Sequence, residues 1–421
     1  MQNNEGIKNI WELYGVNENP FSISPILVIG GIIPIESFVG RKEEIKRLSK
    51  IMGSKGGSRV FVYGDVGVGK TSFVNVIRHT AFISGFFTPF KEIAVQQDWT
   101  IDDFMMNTLS AIYSTLKILK EQPISDKTFS KLESLFEIGR TSTNIGVSVM
   151  GSGGSYGREQ NPTEKLTTFN LEHFFQEIIQ EINTKTKKDT IIHYNNLELL
   201  PEKKIRYIFD NLRDFFQTRG VHFIFVGNLT VHSIIQSIPR FSSNLTDTPF
   251  HIETLTFEET KEIIIKRFYA LKISDKYNLI YPQTENCLRV LYDLMEGNIR
   301  NILNSLSTAV LYATNEKAIV LDRNKLAKVL KEVLENRYLH NLTPKPREVL
   351  NEIVKHQEIT NKSLADKLNM PRSNISTNIK NLEQEGCVYL RRKNGKDKFW
   401  SAEPKIKWSL LEEDPQQALN I

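Results

Sequence analysis

The chain has few of the features that mark secreted or strongly basic proteins. Its 421 residues include two cysteines, Cys287 and Cys387, which are far apart and have no Cys or His nearby at metal-ligand spacing. This pattern excludes a disulfide framework and a zinc site, and it favours a reducing compartment. The formal net charge of +5 is small for this length. Only a local concentration of charge can therefore argue for a nucleic-acid partner.

Long apolar runs are also missing. The apolar stretch 26–33 is bracketed by Pro25 and Pro34, and it is much shorter than the ~20 residues of a membrane span. The N-terminal residues 1–5 lack the basic start of a signal peptide. The sequence therefore predicts a cytoplasmic protein with no membrane partner. Its length predicts two or three domains, because a single core rarely grows this large.

One motif carries most of the functional information. A β-branched and aromatic pattern over 59–63 runs directly into G-x-x-x-x-G-K-T, residues 64–71, followed by a helical pattern. The glycines let backbone N–H groups reach phosphates, and the helix adds its positive N-terminal end. Lys70 can reach the β- and γ-phosphates, and the Thr71 hydroxyl can ligate Mg²⁺. The predicted ATP site comprises Gly64, Asp65, Val66, Gly67, Val68, Gly69, Lys70, Thr71 and Ser72.

The segments around this P-loop alternate between strand and helix patterns. Alternation of this kind predicts an α/β fold with a doubly wound parallel sheet. A capping box at Thr100 predicts a helix that runs through Leu116. The pattern over 205–216 predicts one helix, which places Asp210 on its surface. The strands expected besides that of the P-loop are 90–95, 190–196, 221–228 and 250–253.

The order of these motifs resembles that of AAA+ ATPases. It is similar to the origin-recognition, replication-initiator branch, and the related STAND group of signal-transduction ATPases shares much of the same core. The resemblance covers roughly residues 19–408 and implies four domains or segments. These are an ATP-binding core (1–253), an all-helical lid (254–338), a winged helix (342–408) and a C-terminal tail (409–421).

The resemblance also implies roles for residues outside the P-loop. Gly40 and Arg41, in the box 38–43, would lie near the adenine and ribose. Asn228 matches the polar sensor-1 position and Arg240 the place of an arginine finger. Arg300 matches the sensor-2 arginine, which points at the γ-phosphate from the lid; an arginine fork suits that charge. The alternative for Arg240 and Arg300 is an ordinary solvated cation.

The end of the third strand departs from the family pattern. The family has Asp followed by a second acid there, to order Mg²⁺ and polarise the attacking water. This chain has Asn195-Asn196, with Glu198 as the nearest carboxylate. An amide cannot act as a base, and it removes charge from a metal site. The sequence therefore predicts ATP binding with slow hydrolysis, or a nucleotide switch that needs a partner.

An unusual insertion precedes this third strand. Residues 144–150 alternate as a strand does, and residues 151–157 are rich in glycine and serine. A hairpin or flexible loop is expected. It is either a tolerated surface insertion or a loop that touches DNA or a neighbouring subunit.

The last part of the chain has the pattern of a winged helix. Helical patterns at 346–354, 360–368 and 373–383 precede two strand patterns, 388–392 and 398–400, joined by an Asn394-Gly395 turn. This resembles the MarR- and ArsR-like DNA-binding modules. From Arg372 to Lys407 there are nine Lys or Arg against four Asp or Glu. Expected DNA contacts are Arg372, Ser373, Asn374, Thr377, Asn378 and Lys380 on the third helix, and Arg391, Arg392, Lys393 and Lys396 on the wing.

Two functions fit these patterns. The first is an ATP-binding AAA+ protein that binds double-stranded DNA through its winged helix, forms homo- or hetero-oligomers, and changes assembly or DNA engagement with nucleotide state. The second is a STAND-like ATP switch in signalling, transcription control or anti-phage defence, in which the winged helix binds a partner protein. A metabolic kinase is disfavoured, because no small-substrate domain is evident.

Overall fold

The computed structural model describes residues 9–141, 168–246, 248–336, 342–394 and 397–410. The chain divides into two compact units. One comprises Pro25–Glu253, and the other combines Met1–Ser24 with Thr254–Ile421. The predicted insertion at 144–157 lies outside the described residues. Among the helices of the described ranges, none is long and apolar enough to cross a membrane.

A parallel sheet organises the unit Pro25–Glu253. Its strands lie in the order β2-β3-β4-β1-β5, and every pair is parallel. Parallel strands buried on both faces require long apolar runs, and β4 is buried at every residue. The strands are β1 (Ser58–Tyr63), β2 (Ile93–Ala94), β3 (Thr190–Asn195), β4 (Val221–Gly227) and β5 (Phe250–His251).

Helices cover both faces of this sheet, as the doubly wound prediction requires. One face packs against α2 through residues such as Val62 and Phe73. The other face packs against α3, α5, α6 and α8 through an aromatic-rich cluster that includes Phe61, Tyr194 and Phe216. The helices are α1 (Lys42–Met52), α2 (Lys70–Ile83), α3 (Ile101–Leu116), α4 (Asp126–Thr141), α5 (Thr168–Thr186), α6 (Glu202–Asn211), α7 (Arg213–Phe216), α8 (Leu229–Gln236) and α9 (Pro239–Ser242).

The predicted helix over 205–216 is two helices. The chain leaves α6 at Leu212, whose backbone is not helical, and resumes in the single turn of α7. Ile205, Ile208 and Phe209 of α6 and Phe215 and Phe216 of α7 are buried, so the helical pattern survives the break. Asp210 is exposed on α6, as predicted. Thr100 forms the expected capping box with Asp103 at the start of α3.

The second unit begins with four helices after Thr254. A capping box between Thr256 and Glu259 starts the first of them. Asn298 caps α12 by accepting a hydrogen bond from the Asn301 N–H, directly after Gly297. These four helices, which lie in the segment predicted as a lid, are α10 (Phe257–Ala270), α11 (Glu285–Leu294), α12 (Ile299–Ala313) and α13 (Arg323–Leu334).

Residues 9–24 belong to this second unit, whereas the sequence placed them in the core domain. A short 3-10 helix, Ile10–Tyr14, buries Tyr14 completely, and the Tyr14 hydroxyl lies 2.5 Å from Thr314 Oγ1. The buried Arg267 donates to the carbonyl oxygens of Pro20 and Ser22 at 3.2 and 2.7 Å. The partners of this segment are therefore lid residues that follow it by more than two hundred positions.

The winged helix has its own core. Apolar residues of its three helices, including Leu350, Leu364 and Ile379, pack against Trp400 of the wing. Gly386 follows the third helix and has a positive φ, which glycine adopts easily. The elements are α14 (Pro344–Val354), β6 (Ile359–Thr360), α15 (Asn361–Leu368), α16 (Arg372–Gln384), β7 (Val388–Asn394), β8 (Asp397–Ala402) and α17 (Pro404–Leu410), and the antiparallel strands lie in the order β6-β8-β7.

Candidate nucleotide site and DNA surface

The P-loop lies between β1 and α2 and packs closely against the end of β5. A Cβ atom at Gly64 would lie 2.2 Å from the carbonyl oxygen of Ile252, so only glycine fits there. Gly67 and Gly69 have φ of 91° and 95°, the left-handed region that glycine adopts most easily. No heavy atom lies within 4 Å of a Cβ built at Gly69. The loop is thus fixed on one side and open on the other, as a phosphate cradle requires.

Two cations are tied to carbonyl oxygens of this loop. Lys70 Nζ donates to the carbonyls of Gly64 and Asp65, both at 2.8 Å, and the residue is only 8% exposed. Arg41 Nη2 donates to the carbonyls of Val68 at 2.7 Å and Glu253 at 2.9 Å. Arg41 itself has a left-handed backbone before α1, with Gly40 at φ 77° beside it. The Gly40-Arg41 turn therefore lies against the P-loop, and its place near the adenine and ribose stays a prediction.

The end of β3 meets the first turn of α2. Asn195 Nδ2 lies 3.1 Å from Thr71 Oγ1, and Asn195 is 7% exposed. Asn196 follows in a left-handed conformation that starts a short 3-10 helix. One position beyond Thr71, Ser72 Oγ accepts a hydrogen bond from the Ile26 N–H at 3.2 Å. The structure therefore brings Thr71, the predicted metal ligand, into direct contact with Asn195, the first of the two amides that replace the family's acids.

The donor set fits Mg²⁺ poorly. Magnesium prefers an octahedron of oxygen ligands that includes carboxylates. The P-loop offers the Thr71 hydroxyl, and Asn195 stands beside it where the family has a carboxylate. No group of three or more His, Cys, Asp or Glu suited to a metal ion occurs within the described ranges.

Glu198 and Asn228 lie near the carboxyl ends of β3 and β4. Glu198 is partly buried in the 3-10 helix Leu197–Leu199, and its Oε2 atom is buried with no hydrogen-bond partner among the described residues. Asn228 caps α8, because its side-chain oxygen accepts from the Val231 N–H at 3.0 Å. That bond occupies the Asn228 oxygen and leaves Nδ2 as the group that could serve a sensor role.

The two predicted arginine sensors are both exposed. Arg240 lies in α9, a helix of four residues. Arg300 lies in the first turn of α12 and belongs to the other compact unit. Their roles toward a nucleotide stay predictions.

Sequence reasoning missed a buried cation behind the P-loop. Arg78 on α2 is completely buried, and its guanidinium donates to Thr88 Oγ1, to Asn75 Oδ1 and to the carbonyls of Pro89 and Lys91. Its Nη1 also lies 3.3 Å from His193 Nδ1 on β3. Burial lowers the pKa of Arg78 to about 10 and lowers the pKa of His193 well below its ordinary value. At neutral pH Arg78 is therefore charged and His193 neutral. The sequence signal was a charge four residues after Val74, on the buried face of α2.

The third helix of the winged helix, α16, presents a polar face. Ile375, Ile379 and Leu382 point into the core and leave the rest of the helix outward. Asn361 holds the helix against the wing, since it donates to Ser376 Oγ at 3.0 Å and accepts from Trp400 Nε1 at 2.7 Å. Asn378 is half-buried. The exposed residues on this face are Arg372, Ser373, Asn374, Ser376, Thr377 and Lys380.

The wing arginines already have acidic partners. Arg392 makes a bidentate pair with Glu358, with Nε 3.0 and 2.9 Å from the two carboxylate oxygens, and it stacks 3.7 Å over Phe399. Arg391 Nη1 lies 3.4 Å from Glu296 Oε1. These contacts reduce the charge that the sequence assigned to DNA. Lys393 belongs to β7, and Lys396 lies outside the described residues.

The fold and site define a P-loop NTPase domain, followed by helices and a C-terminal winged helix. Residues 41–247 match the KAP family P-loop domain, and residues 342–389 match a winged helix-turn-helix DNA-binding family. No curated protein matches the chain. The P-loop match and the C-terminal winged helix confirm the predicted fold class.

Solved structures with the same fold share little sequence with this chain. The Aeropyrum pernix ORC2 protein in its ADPNP-ADP complexes is 14% identical with a TM-score of 0.50; the match covers 96% of this chain and 98% of that one. The Aeropyrum pernix ORC1 protein in complex with DNA is 15% identical with a TM-score of 0.44, over 94% and 97% of the two chains. At this identity the ORC2 match supports the fold alone.

Proposed function

We propose that this chain is an ATP-controlled protein that binds double-stranded DNA through its winged helix. The nucleotide state controls its assembly into homo- or hetero-oligomers or its engagement of DNA, as in replication initiators. The observation that carries the proposal is that one chain contains both a fully formed P-loop and a winged helix whose α16 presents an exposed hydrogen-bonding face. A protein that uses ATP and DNA works where both occur, so the proposed location is the cytoplasm.

The nucleotide half of the proposal rests on Lys70. Its two bonds to loop carbonyls hold the ammonium beside the P-loop, where it can exchange these partners for phosphate oxygens. The predicted second cofactor, Mg²⁺, would find one protein ligand, the Thr71 hydroxyl, and an amide at Asn195. The nucleotide half of the proposed function therefore rests on ATP and does not require Mg²⁺.

The DNA half rests on the exposed face of α16. Asn374 and Thr377 are short and polar, which suits base edges in a major groove, while Arg372 and Lys380 suit phosphates. The match of residues 342–389 to a DNA-binding winged-helix family supports this use. The solved ORC1 and Drosophila ORC structures contain DNA, as their descriptions state.

Fluorescence anisotropy on a labelled duplex tests both halves. Affinity is measured over a series of salt concentrations with ATP, with ADP and without nucleotide. We expect binding that weakens with salt and that differs between ATP and ADP. Lys70→Ala serves as the control: it should keep the fold by circular dichroism, lose ATP binding and lose the nucleotide effect on DNA. Salt-independent binding, or no binding in any state, would contradict the DNA role.

A second candidate is a STAND-like switch with a partner-binding winged helix. The observation that favours it is the pairing of Arg391 and Arg392 with Glu296 and Glu358, which lowers the free positive charge of the wing. In that case the chain would bind ATP normally and show no salt-dependent affinity for duplex DNA.

A further inference from the structure

Asn195 lies at the end of β3, where the related family has an aspartate that orders Mg²⁺. Its Nδ2 lies 3.1 Å from Thr71 Oγ1, and the residue is almost fully buried at the end of β3. In either orientation of the amide, the group beside Thr71 carries no charge. With Nδ2 toward Thr71, an N–H points at the hydroxyl oxygen that would ligate a cation. This contact therefore works against a divalent cation at this point.

The interior behind Asn195 contains a buried positive charge. Arg78 is charged and completely buried; its hydrogen-bond partners in the described part of the chain are neutral, and the Glu92 carboxylate acts on it without a hydrogen bond to it among the described residues. His193, which contacts Arg78, lies two residues before Asn195 on the same strand and so on the same side of it. A buried cation without a bonded carboxylate favours an anion nearby and disfavours a second cation.

We propose that the P-loop site binds ATP as well without a metal ion as with one, and that Asn195 is the residue that sets this independence of metal. The inference rests on the proposed function, because it assumes that the P-loop binds ATP. The free tetra-anion carries two more negative charges than its magnesium complex. Here the loop N–H groups, Lys70 and the Arg78 charge take over the neutralisation that a metal supplies elsewhere. Mg²⁺ is then dispensable for holding ATP.

The direct test compares ATP affinity with and without metal. Isothermal titration calorimetry measures the Kd of the full-length protein for ATP in excess EDTA and in excess Mg²⁺, at matched ionic strength. We expect the two values to agree within about threefold, less than 1 kcal/mol. An affinity that falls by about a hundredfold in EDTA would overturn the inference and leave the proposed ATP function intact. Absence of ATP binding in both conditions would refute the proposed function itself.

The variant Asn195→Asp tests the residue. The added carboxylate would lie against Thr71, so its negative charge should repel metal-free ATP and create a magnesium preference. We expect its affinity in EDTA to fall by about tenfold and to recover in Mg²⁺. Asn211→Asp adds the same charge on the exposed end of α6 and should leave the ratio of the two Kd values unchanged. An unchanged ratio in a folded Asn195→Asp protein would remove Asn195 from the argument, and the wild-type comparison stands even if that variant fails to fold.

Discussion

The P-loop edge of the core and the wing of the winged helix both present cations for phosphates, but they hold them differently. At the P-loop, Lys70 is buried and donates to two loop carbonyls, which are neutral groups that a phosphate can replace. At the wing, Arg391 and Arg392 are exposed and paired with carboxylates, which a phosphate must displace. Counting the positive charges in the sequence therefore gives a fair measure of how many phosphate contacts the P-loop can make, but it overestimates that number for the wing.

The largest expected effect is at the P-loop. Gly64→Ala should unfold or strongly destabilise the core and abolish ATP binding, because the new Cβ would lie 2.2 Å from the Ile252 carbonyl oxygen. Gly69→Ala is the matched variant: it meets no atom within 4 Å and carries only the strain of its positive φ, about 1–2 kcal/mol. Thermal unfolding of the two variants checks the difference. Equal melting temperatures would show that the contact of Gly64 with β5 is not limiting.

The next effect concerns turnover. Isolated wild-type protein should hydrolyse ATP slowly, and the double change Asn195→Asp with Asn196→Glu should raise the rate by on the order of tenfold or more if it supplies the missing acid. Phosphate release under saturating ATP and Mg²⁺ measures it. Glu198→Gln in the wild-type background tests whether Glu198 is the base. Fast hydrolysis that survives this change would exclude Glu198 from that role.

A smaller effect distinguishes the two faces of the winged helix. Removing Arg372 and Lys380 together should flatten the log–log salt dependence of DNA affinity by about two units, since each unpaired cation releases about one counterion. Removing Arg391 and Arg392 should flatten it by less, because these charges are already neutralised by Glu296 and Glu358. Anisotropy over a salt series compares the two double variants. A larger loss for the wing pair would show that DNA displaces both carboxylates.

The smallest effect comes from releasing one wing arginine. The Arg392 guanidinium beside Glu358 lowers the pKa of that carboxyl, so the pair is fully ionised at neutral pH. Glu358→Gln should therefore free the Arg392 charge, steepen the salt dependence by up to about one unit and tighten DNA binding a few-fold at low salt. Glu348→Gln, on the neighbouring α14, is a control for the loss of one negative charge. Identical effects of the two variants would mean that general charge, not release of Arg392, is responsible.

The sequence predicts what is local and misses what depends on distant partners. The P-loop, the capping boxes at Thr100 and Thr256 and the three helices of the winged helix follow from patterns of a few residues. No local pattern indicates the contact of Asn195 with Thr71, because 124 positions separate the two residues. The pairing of Arg391 with Glu296 spans 95 positions, and no local pattern indicates it.

The burial of Arg78 and the position of residues 9–24 show the same limit. A lone arginine in a helix is normally solvated, so its periodicity alone did not suggest a buried cation. Tyr14 and Phe21 are apolar enough to need a core, but nothing nearby in the chain shows that their partners are Thr314 and Phe268. The sequence predicts a core domain that begins at residue 1, whereas the compact unit that contains the P-loop begins at Pro25.

That N-terminal segment has a consequence for biosynthesis. Trp11, Tyr14 and Phe21 leave the ribosome before Phe268 and Thr314, which contact Phe21 and Tyr14 and follow only after the unit Pro25–Glu253 has been made. Until then the segment exposes three aromatic side chains, which makes it a binding site for chaperones and a hazard for aggregation. The unit Pro25–Glu253 can fold during translation. The other unit must bring residues 9–24 together with the helices after Thr254 in a single late step of high contact order.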